Sequence, residues 1–352
     1  MTTFAKFTAP EISEQHAALA AAWNQLQNQQ DWVTKYLLNP AADEIIFIGS
    51  GSSYYQAQTM AAVYRKYVGK PAQALPSSEI YLFRDYQAPA NRNYTLVGVS
   101  RSGESSEVVL ALDSIKDLPN WTACGITCYE DSSMAQRAEC LLSPLGKEKS
   151  TVMTKSFSSM TYMMIAACAL ASKRTEWIEQ IAGIPALSES TVTRAHSFIK
   201  PFVESNSFNK YIYLGMGPFY GLANEANLKI KEMANVWAES FGTLEFRHGP
   251  KSVVDSGTLV VLLLSQEARQ HELKVAAEMK AYGATVLIIT TQQGADTSFA
   301  DAVFETGHVA EQDDSAHCIL YLSALQYLGM YTAIQKGVDP DEPKNLTQVV
   351  II

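Results

Sequence analysis

The chain begins with a stretch in which apolar residues recur at helical spacing. This stretch covers residues 11–38 and stops at the breaker Asn39-Pro40, so the pattern predicts helical structure there. The pattern then changes to short β-branched runs, each followed by a polar turn and a longer amphipathic stretch. Three strand–turn–helix units and then one largely apolar helix are predicted, over residues 43–67, 93–113, 121–144 and 154–174.

A second series with the same order of elements starts near residue 209. The run NKYIYLGMGPFYGLANEANLKIKEM predicts a strand, a glycine turn and a helix. A further strand and helix are expected over 257–283, and one more strand over 284–294. Because the two halves share one order of elements, the sequence predicts an internal duplication, with a linker near 185–208. The expected boundaries are 1–38 for an N-terminal helical segment, and 39–190 and 200–352 for two domains.

The character of the predicted strands indicates the fold class. Continuous apolar runs such as LVVLLL and VLIIT are typical of parallel strands that are covered on both faces. Their alternation with helices predicts the α/β class, as two tandem, doubly wound parallel sheets with three α/β/α layers in the flavodoxin-like arrangement. Ligands of such sheets bind at the carboxyl ends of the strands, which is where the polar turns fall.

Composition and charge exclude several classes of partner. The 352 residues are 47% hydrophobic and 18% charged, which is a globular balance, and the net charge is −9. An acidic chain without a basic stripe is not expected to bind nucleic acid or an anionic membrane surface. The N-terminus lacks the apolar core of a signal peptide, and the apolar run 162–171 is too short to span a bilayer, so a cytoplasmic protein is expected.

The cysteines are expected to be buried free thiols. Most lie in apolar runs, and no second pair or nearby histidine completes a metal set around Cys124 and Cys128. Free thiols suit a reducing compartment, and neither a metal nor an organic cofactor is predicted. The cysteines are Cys124, Cys128, Cys140, Cys168 and Cys318.

Two turns rich in serine and glycine carry the main chemical signal of the first half. GSGSSY, residues 49–54, and SRSGESS, residues 100–106, each follow a predicted strand and open a helix. Serine hydroxyls, unpaired amides and the positive end of a helix dipole together favour an anion such as a phosphate. Neither turn has the spacing and the lysine of a P-loop. The alternative is simple helix capping, because serine is a favoured N-cap and Ser-x-x-Glu is a capping box.

These residues also resemble a known family. VSRSGESSEVVLAL looks like the phosphate-binding signature of the sugar isomerase (SIS) domain family. IGSGSSY and the run from LGMGPFYG to EFRHGP resemble the isomerase half of glutamine–fructose-6-phosphate amidotransferase. The resemblance covers nearly the whole chain, as two tandem SIS domains, and extends to relatives without an amidase domain, which are sugar-phosphate isomerases, deaminases and deglycases. Since no cysteine follows Met1 and no glutaminase domain precedes the first predicted unit, glutamine-dependent amination is not expected.

The resemblance implies roles for individual residues. It implies that Glu232 and His248 are catalytic and that the phosphate of a small-molecule sugar phosphate is bound by the two turns. The implied phosphate-binding residues are Ser53, Ser100, Arg101, Ser102 and Ser105. The positions implied to line the sugar pocket are Ser52, Glu148, Thr151, Glu225, Lys229 and Gln348.

The chemistry of such an enzyme needs these residue types. One carboxylate can carry a proton between C1 and C2 of an open-chain sugar phosphate, and an imidazole can assist ring opening, so Glu232 and His248 suffice without a cofactor. By spacing alone, however, Glu225, Lys229 and Glu232 are a solvated, salt-bridged stripe on one helix face. By position alone, His248 is a surface residue of a loop.

The end of the chain departs from the family pattern. DEPKNLTQVVII resembles the family's C-terminal tail, but the position of its lysine is Gln348, which cannot act as an acid or base or form an imine. We therefore expect an isomerase/deaminase that acts on an amino-sugar or ketosamine 6-phosphate through an enediol or enediolamine. The alternatives are a fructosamine (Amadori) 6-phosphate deglycase and a non-catalytic regulator that binds a sugar phosphate. The resemblance also implies at least a homodimer, with His248 contributed across the interface.

Overall fold

The computed structural model describes residues 4–307 and 313–350, which form two parallel sheets and their flanking helices. The strands are β1 Glu44–Gly49, β2 Ala72–Pro76, β3 Tyr94–Val99, β4 Trp121–Thr127, β5 Glu139–Leu142, β6 Lys210–Leu214, β7 Ala238–Phe241, β8 Thr258–Leu263, β9 Thr285–Thr290 and β10 Ala302–Glu305. The α-helices are α1 Thr8–Ser13, α2 Gln15–Asn28, α3 Gln30–Trp32, α4 Ser52–Val68, α5 Ser77–Gln87, α6 Ser106–Ile115, α7 Lys155–Ser172, α8 Thr175–Glu204, α9 Phe219–Ala234, α10 Arg269–Ala281, α11 Asp314–His317 and α12 Leu322–Gln335. A π-helical turn covers Val33–Leu37, and 3-10 turns cover Glu245–Arg247, Pro250–Val253, Ala295–Thr297 and Cys318–Tyr321.

The two sheets have the same topology. Each has five strands, ordered β2-β1-β3-β4-β5 in the first sheet and β7-β6-β8-β9-β10 in the second. All neighbouring strands are parallel. Counted within its own half of the chain, each sheet has the order 2-1-3-4-5 of the flavodoxin-like arrangement. The predicted fold class and internal duplication are thereby confirmed.

The central strand of each sheet is buried along its whole length. Every residue of β3 and of β8 is buried, which explains their mostly apolar sequences. In the first half of the chain, α7 packs against α4 and α2, and α5 packs against α6. In the second half, α12 packs against α9. Helices that cover the faces of a sheet leave only its ends open, so the carboxyl ends of the strands are the natural place for a site.

The helix predicted within residues 121–144 is wrong. Residues 128–138 form turns, and the chain then enters the short strand β5. The hydroxyl of Ser132 donates to the carbonyl of Tyr129 at 2.8 Å and accepts the amide of Ala135 at 3.3 Å. Such local bonds compete with helical hydrogen bonds. The hydrophobic pattern also misses β2, β7 and β10, because each is a short strand with mostly half-buried residues.

The chain forms two compact units, each built around one sheet. The first-sheet unit comprises residues 15–148, 155–185 and 347–350, and the second-sheet unit comprises 4–14, 149–154 and 186–346. The division near residue 185 falls within α8, so most of the stretch predicted as a linker is helical. Two segments depart from the predicted boundaries. Residues 149–154 belong to the second-sheet unit, and residues 347–350 of the tail belong to the first-sheet unit.

All five cysteines are buried free thiols, as predicted. Burial raises the pKa of every one of them, that of Cys140 to about 12. A thiol with a raised pKa stays protonated at neutral pH and is a poor nucleophile, so the cysteines act as small core residues. None of the helices in the described ranges is long and apolar enough to cross a membrane.

Candidate active site

The serine turn after β1 lies at the carboxyl end of the first sheet. Ser52 and Ser53 are the first residues of α4, and both are buried. Gly49 ends β1 because the first turn of α4 lies directly against it. A Cβ at this position would come within 2.4 Å of the backbone of Ser53. A side chain at residue 49 would therefore displace the two serines from this edge of the sheet.

The serine turn after β3 is organised by its own hydroxyls. The Oγ of Ser100 accepts the amide of Gly103 at 3.0 Å and lies 3.2 Å from the Oγ of Ser105. The Oγ of Ser102 accepts the amide of Glu104 at 3.1 Å. Gly103 has a φ of +68°, and a Cβ there would lie 2.1 Å from a neighbouring hydroxyl, so only glycine fits. Because β1 and β3 are adjacent parallel strands, both serine turns open at the same edge of the sheet.

Neither serine turn caps its helix through a side chain. The N-cap residues of α4 and α6 are Gly51 and Ser105, and within the described residues neither helix has a side-chain cap hydrogen bond. At the start of α6, the amide of Ser106 donates to the backbone carbonyl of Val350 at 3.4 Å. This geometry does not support the capping interpretation of the serines, and it leaves the anion interpretation in place.

Arg101 connects the second serine turn to the tail. Its backbone carbonyl accepts the amide of Cys128 at 3.0 Å, which holds the turn against the end of the next strand. Its buried guanidinium donates to the backbone carbonyl of Gln348 at 3.1 Å and lies 3.5 Å from the carboxylate of Glu148. Glu148 also accepts the amide of Ser156, at 3.1 Å, at the start of α7. Gln348, the tail residue predicted to stand at the family's lysine position, thus lies against the serine turn.

A cavity of about 290 Å³ opens beside the second serine turn. Its wall combines the tail with the turn and with residues 129–132 and 147–148. Carboxylates outnumber cations in this wall, so the cavity suits a polar ligand that carries a positive charge. The carboxylates are Glu104, Glu130, Asp131 and Glu148, and the cations are Arg101 and Lys147.

Helix α9 starts at the carboxyl end of the second sheet and carries three of the predicted residues. The ammonium of Lys229 lies 3.5 Å from the carboxylate of Glu225 and donates a short hydrogen bond to Glu232. The side chains of Glu225 and Lys229 are each 2% exposed, whereas that of Glu232 is 17% exposed. The interpretation as a solvated stripe is therefore wrong, because Glu225 and Lys229 are removed from water and the single ammonium is shared by two carboxylates. Glu232 is the member of the cluster that is open to a ligand.

His248 is exposed and lies in a tight turn between two 3-10 segments. Arg247, directly before His248, and Lys251, shortly after it, bind the carboxylate of Glu278 on α10 at 2.8 and 2.5 Å. The hydroxyl of Tyr282 donates to the same carboxylate at 2.9 Å. The Lys251 ammonium, the Tyr282 hydroxyl and the Arg247 guanidinium lower the pKa of Glu278 to about 2. The turn that presents His248 is thus anchored to α10.

The loop after β8 occupies, in the second sheet, the place of the serine turn after β3. The carboxylate of Glu272 accepts the amide and the hydroxyl of Ser265 at 2.8 and 2.7 Å, and the hydroxyl of Thr243 at 3.0 Å. The carboxylate of Asp314 accepts the next two backbone amides at 2.9 and 3.0 Å. Both carboxylates are buried, and burial raises the pKa of Glu272. The chain's own carboxylates therefore fill this loop.

The predicted site residues are divided between the two units. Contacts join Ser100 to Ser105 in the first-sheet unit and Lys229 to Glu225 and Glu232 in the second-sheet unit. Residues of the first-sheet unit are Ser52, Ser53, Ser100, Arg101, Ser102, Ser105, Glu148 and Gln348. Residues of the second-sheet unit are Thr151, Glu225, Lys229, Glu232 and His248.

The two carboxylates that hold the loop after β8 could not be identified from a sequence motif. Glu272 and Asp314 stand in polar stretches without a motif, and only an alignment of the two duplicated halves would single out Ser265 and Glu272 opposite SRSGESSEVV. Within residues 4–307 and 313–350, no group of three or more His, Cys, Asp or Glu side chains is placed to hold a metal ion. A partly exposed carboxylate on α9 can transfer a proton, and the hydroxyls and amides of the serine turns can bind an anion.

Comparison with protein families agrees with this architecture. The model of the SIS domain matches residues 38–173 and 207–330, so that each sheet falls within one match. The chain therefore belongs to the SIS domain family. The family is the one that the serine turn and the FRHGP run indicate in the sequence.

Relatives of the chain are named as sugar-phosphate enzymes. It is 26% identical to glutamine–fructose-6-phosphate aminotransferase (isomerizing) of Pyrobaculum aerophilum, over 98% of this chain and 57% of that protein. The chain spans about half the length of the curated relatives it matches. A glucosamine-6-phosphate deaminase from Thermotoga maritima has a similar structure, with a TM-score of 0.73, 28% identity and coverage of 94% of this chain and 100% of that one. The tagatose-6-phosphate ketose/aldose isomerase of Escherichia coli shares the fold, with a TM-score of 0.85 at 23% identity over 95% of each chain.

Proposed function

We propose that the chain is an enzyme that converts an aminohexose 6-phosphate into a ketohexose 6-phosphate and ammonia. The observation that carries this proposal is the α9 cluster, in which the partly open carboxylate of Glu232 is bound by the buried ammonium of Lys229. A carboxylate in such a place can take up a proton and return it. Likeness to a protein named glucosamine-6-phosphate deaminase, over 94% of this chain, supports an amino sugar as the substrate.

In this proposal, the two serine turns bind the phosphate of the substrate. Hydroxyls and helix-terminal amides at one edge of the first sheet suit a dianion, and Arg101 supports the turn from behind. Phosphate binding holds the reacting carbons in place, so that binding energy from a distant group serves the reaction. The phosphate ligands are Ser53, Ser100, Ser102 and Ser105, and the sugar pocket is lined by Ser52, Glu148, Thr151, Glu225 and Gln348.

The proton transfer balances without a cofactor. After ring opening, Glu232 takes the proton from C2 of the open-chain aminoaldose and returns it to C1. A second proton passes from the C2 amine to the oxygen on C1, so that the C1 aldehyde becomes a primary alcohol and the C2 amine becomes an imine. Water hydrolyses the imine to the ketone and releases ammonia. Lys229 holds the carboxylate of Glu232 in place during both transfers.

His248 assists ring opening in this proposal and works in the active site of a second copy. Its exposure supports this role, since an imidazole on an anchored surface turn can reach a neighbouring subunit. An imidazole can both donate and accept a proton, so it can move one between the anomeric hydroxyl and the ring oxygen. The active form is then at least a homodimer, and dilution below its dissociation constant should abolish turnover.

Neither glutamine nor a bound cofactor takes part in the proposed reaction. Glutamine should be neither consumed nor required, because ammonia is the product. The five buried thiols fit a reducing compartment, so we place the reaction in the cytoplasm.

The experiment that tests this function is proton NMR in deuterated buffer. The substrates are glucosamine 6-phosphate, galactosamine 6-phosphate, fructose 6-phosphate and fructoselysine 6-phosphate. Deuterium at C1 or C2 together with released ammonia supports the proposal. Saturable binding without exchange for every substrate contradicts it and leaves a sugar-phosphate-binding regulator.

The matched variants are Glu232→Gln and Glu189→Gln. Glu189 is exposed on α8 and serves as the control for the loss of one carboxylate. We expect Glu232→Gln to lower kcat by about 1,000-fold with a nearly unchanged Kd, because general acid–base catalysis contributes about 10²–10⁴-fold. Equal activity of the two variants would exclude Glu232 as the base.

The cavity beside the second serine turn favours a second candidate function, the deglycase reaction. A ketosamine 6-phosphate carries an amino acid on C1, and a cavity of about 290 Å³ with an excess of carboxylates can take its cationic part. The proton then moves from C1 to C2, and hydrolysis of the C1 imine releases the amino acid. Turnover of fructoselysine 6-phosphate, weakened by Glu130→Gln with Asp131→Asn, would favour this candidate over the deaminase.

A further inference from the structure

The segment 149–154 carries Thr151 and has neither helical nor strand structure. Backbone amides of an irregular, largely buried segment need acceptors from elsewhere. Glu11, a residue of α1 that is 5% exposed, supplies them: its carboxylate accepts the amide of Lys149 at 2.6 Å and that of Ser150 at 3.4 Å. It also accepts a short hydrogen bond from the hydroxyl of Ser150. One buried carboxylate thus binds the two residues that immediately precede Thr151.

The far end of the same segment is held as well. The side-chain amide of Gln326 on α12 donates to the carbonyl of Thr154 at 3.1 Å, and both residues are buried. Within the segment, the hydroxyl oxygen of Ser150 lies 3.0 Å from the carbonyl oxygen of Val152. The backbone around Thr151 is therefore fixed on both sides by side chains of the second-sheet unit.

The helix that carries Glu11 is held in place by Asp339 and Asp341, which lie just before the tail. Asp341 accepts the amides of Phe7 and Thr8 at 2.7 and 2.8 Å, and Asp339 accepts the amide of Ala5 at 3.0 Å. These contacts anchor the start of α1, so Glu11 approaches residues 149–150 from a rigid support. The N-terminal helix α1 is thus bound both to the segment 149–154 and to residues 339–341 of the second-sheet unit.

We propose that Glu11 is a positioning residue of the sugar pocket, which sets the place of Thr151 through the amides of Lys149 and Ser150. This rests on the proposed function, which puts Thr151 in that pocket. A carboxylate that accepts two amides and a hydroxyl defines a backbone more strictly than a neutral acceptor does. Its loss removes these hydrogen bonds from the amides of Lys149 and Ser150 and lets the segment move.

The test compares Glu11→Gln and Glu11→Ala with the control Glu189→Gln. For glucosamine 6-phosphate, we expect kcat/KM to fall about tenfold in Glu11→Gln and further in Glu11→Ala, because charge-assisted bonds are lost. The inhibition constant of inorganic phosphate should stay within about twofold, since the proposed phosphate ligands lie in the first-sheet unit. Hydrogen exchange at Lys149 and Ser150 should accelerate in both variants and not in the control.

Each outcome decides the proposal. A drop in kcat/KM with an unchanged phosphate constant and faster exchange at 149–150 supports it. Unchanged kcat/KM, or a phosphate constant that rises in parallel, overturns it, because Glu11 is then merely structural. If Glu11→Ala does not fold, Glu11→Gln decides.

A failure of the proposed function is recognised separately, in the wild-type protein. If that protein binds the sugar phosphate without turnover, the proposed reaction fails, and the Kd of Glu11→Gln replaces kcat/KM as the readout. A Kd equal to that of the wild type then overturns the role of Glu11. Absence of both binding and turnover in the wild type overturns both proposals.

Discussion

The turn after β3 and the loop after β8 stand at the same place in two sheets of identical topology. In the first, the hydroxyls of Ser100 and Ser105 lie 3.2 Å apart and bond the turn itself. In the second, the buried carboxylates of Glu272 and Asp314 accept hydrogen bonds from the hydroxyl of Ser265 and from the backbone amides of the loop. The second loop thus holds an anion of the chain itself, at the place where the first, in our proposal, binds an anion from solution.

This difference shows what a duplicated fold preserves. A helix that starts after a central parallel strand presents amides and a positive dipole end, and these favour a negative charge in either half. The side chains decide where the charge comes from. A turn that is filled internally can stabilise its unit, while the other turn remains for a ligand. We therefore expect one sugar phosphate to bind per chain.

The largest expected effect tests the first turn. Replacing both Ser100 and Ser105 by alanine should raise the Kd for the sugar phosphate roughly a thousandfold, about 4 kcal/mol, because two hydrogen bonds to a charged ligand are lost. Calorimetric titration measures both the Kd and the number of sites. The matched control is Ser265→Ala in the second loop, which should keep the Kd and lower only the stability. A similar loss of affinity in the control would remove the contrast between the two turns.

The next effect is the dependence of stability on pH, and it arises in α11, the helix that begins with Asp314. His317 on α11 is 1% exposed, and neither ring nitrogen has a hydrogen-bond partner in the described part of the chain. Burial lowers the pKa of His317 from 6.5 to about 4. Between these values the unfolded chain binds a proton that the folded chain does not, so stability is present above pH 6.5 and is lost as the pH falls toward 4.

The expected loss through His317 is about 3 kcal/mol over that window. Urea unfolding of the wild type and of His317→Leu at several pH values measures it. The variant should lack this part of the pH dependence. An equal dependence of the unfolding free energy on pH in the two proteins would mean that His317 is solvated in the folded state.

A smaller effect tests the internal anion directly. Asp314→Ala should lower the free energy of unfolding by about 2 kcal/mol, because two partly buried amides lose a charged acceptor. Sulfate should restore part of this stability, since an anion that binds only the folded state stabilises it. The control is Asp296→Asn, whose exposed carboxylate binds Arg269 on α10. If sulfate stabilises both variants equally, the loop after β8 is not an anion site.

The smallest effect lies at the far end of α10. Glu278→Gln weakens the bonds to Arg247 and Lys251 beside His248, and we expect a loss of less than about 1 kcal/mol because these pairs are partly exposed. The pKa of Glu278 is lowered to about 2, so its contribution is present above pH 4.5 and is lost as the pH falls toward 2. Thermal unfolding at pH 7 and at pH 3 measures it. An equal change at both values would contradict an ionic contribution.

Local patterns explain what could be predicted. The order of strands and helices, the duplication and the buried central strands follow from apolar runs such as LVVLLL, because burial on both faces of a sheet selects apolar residues at every position. The short edge strands β2, β7 and β10 were missed because half-buried residues leave no such run. The wrong helix after β4 reflects Ser132, whose hydroxyl bonds the nearby backbone.

The sequence by itself determined the family, the two sheets and the serine turns, since these depend on residues that are close together in the chain. Only the tertiary structure decided that Lys229 is buried between two carboxylates, that Asp314 fills the second loop, and that Glu11 holds the segment of Thr151. The physical reason is that a charge is defined by its surroundings. For Glu11 and Asp314, the partners are distant in the chain, and no local pattern records them. For Lys229, the spacing of its two carboxylates is visible in the sequence, but the burial of the cluster is not.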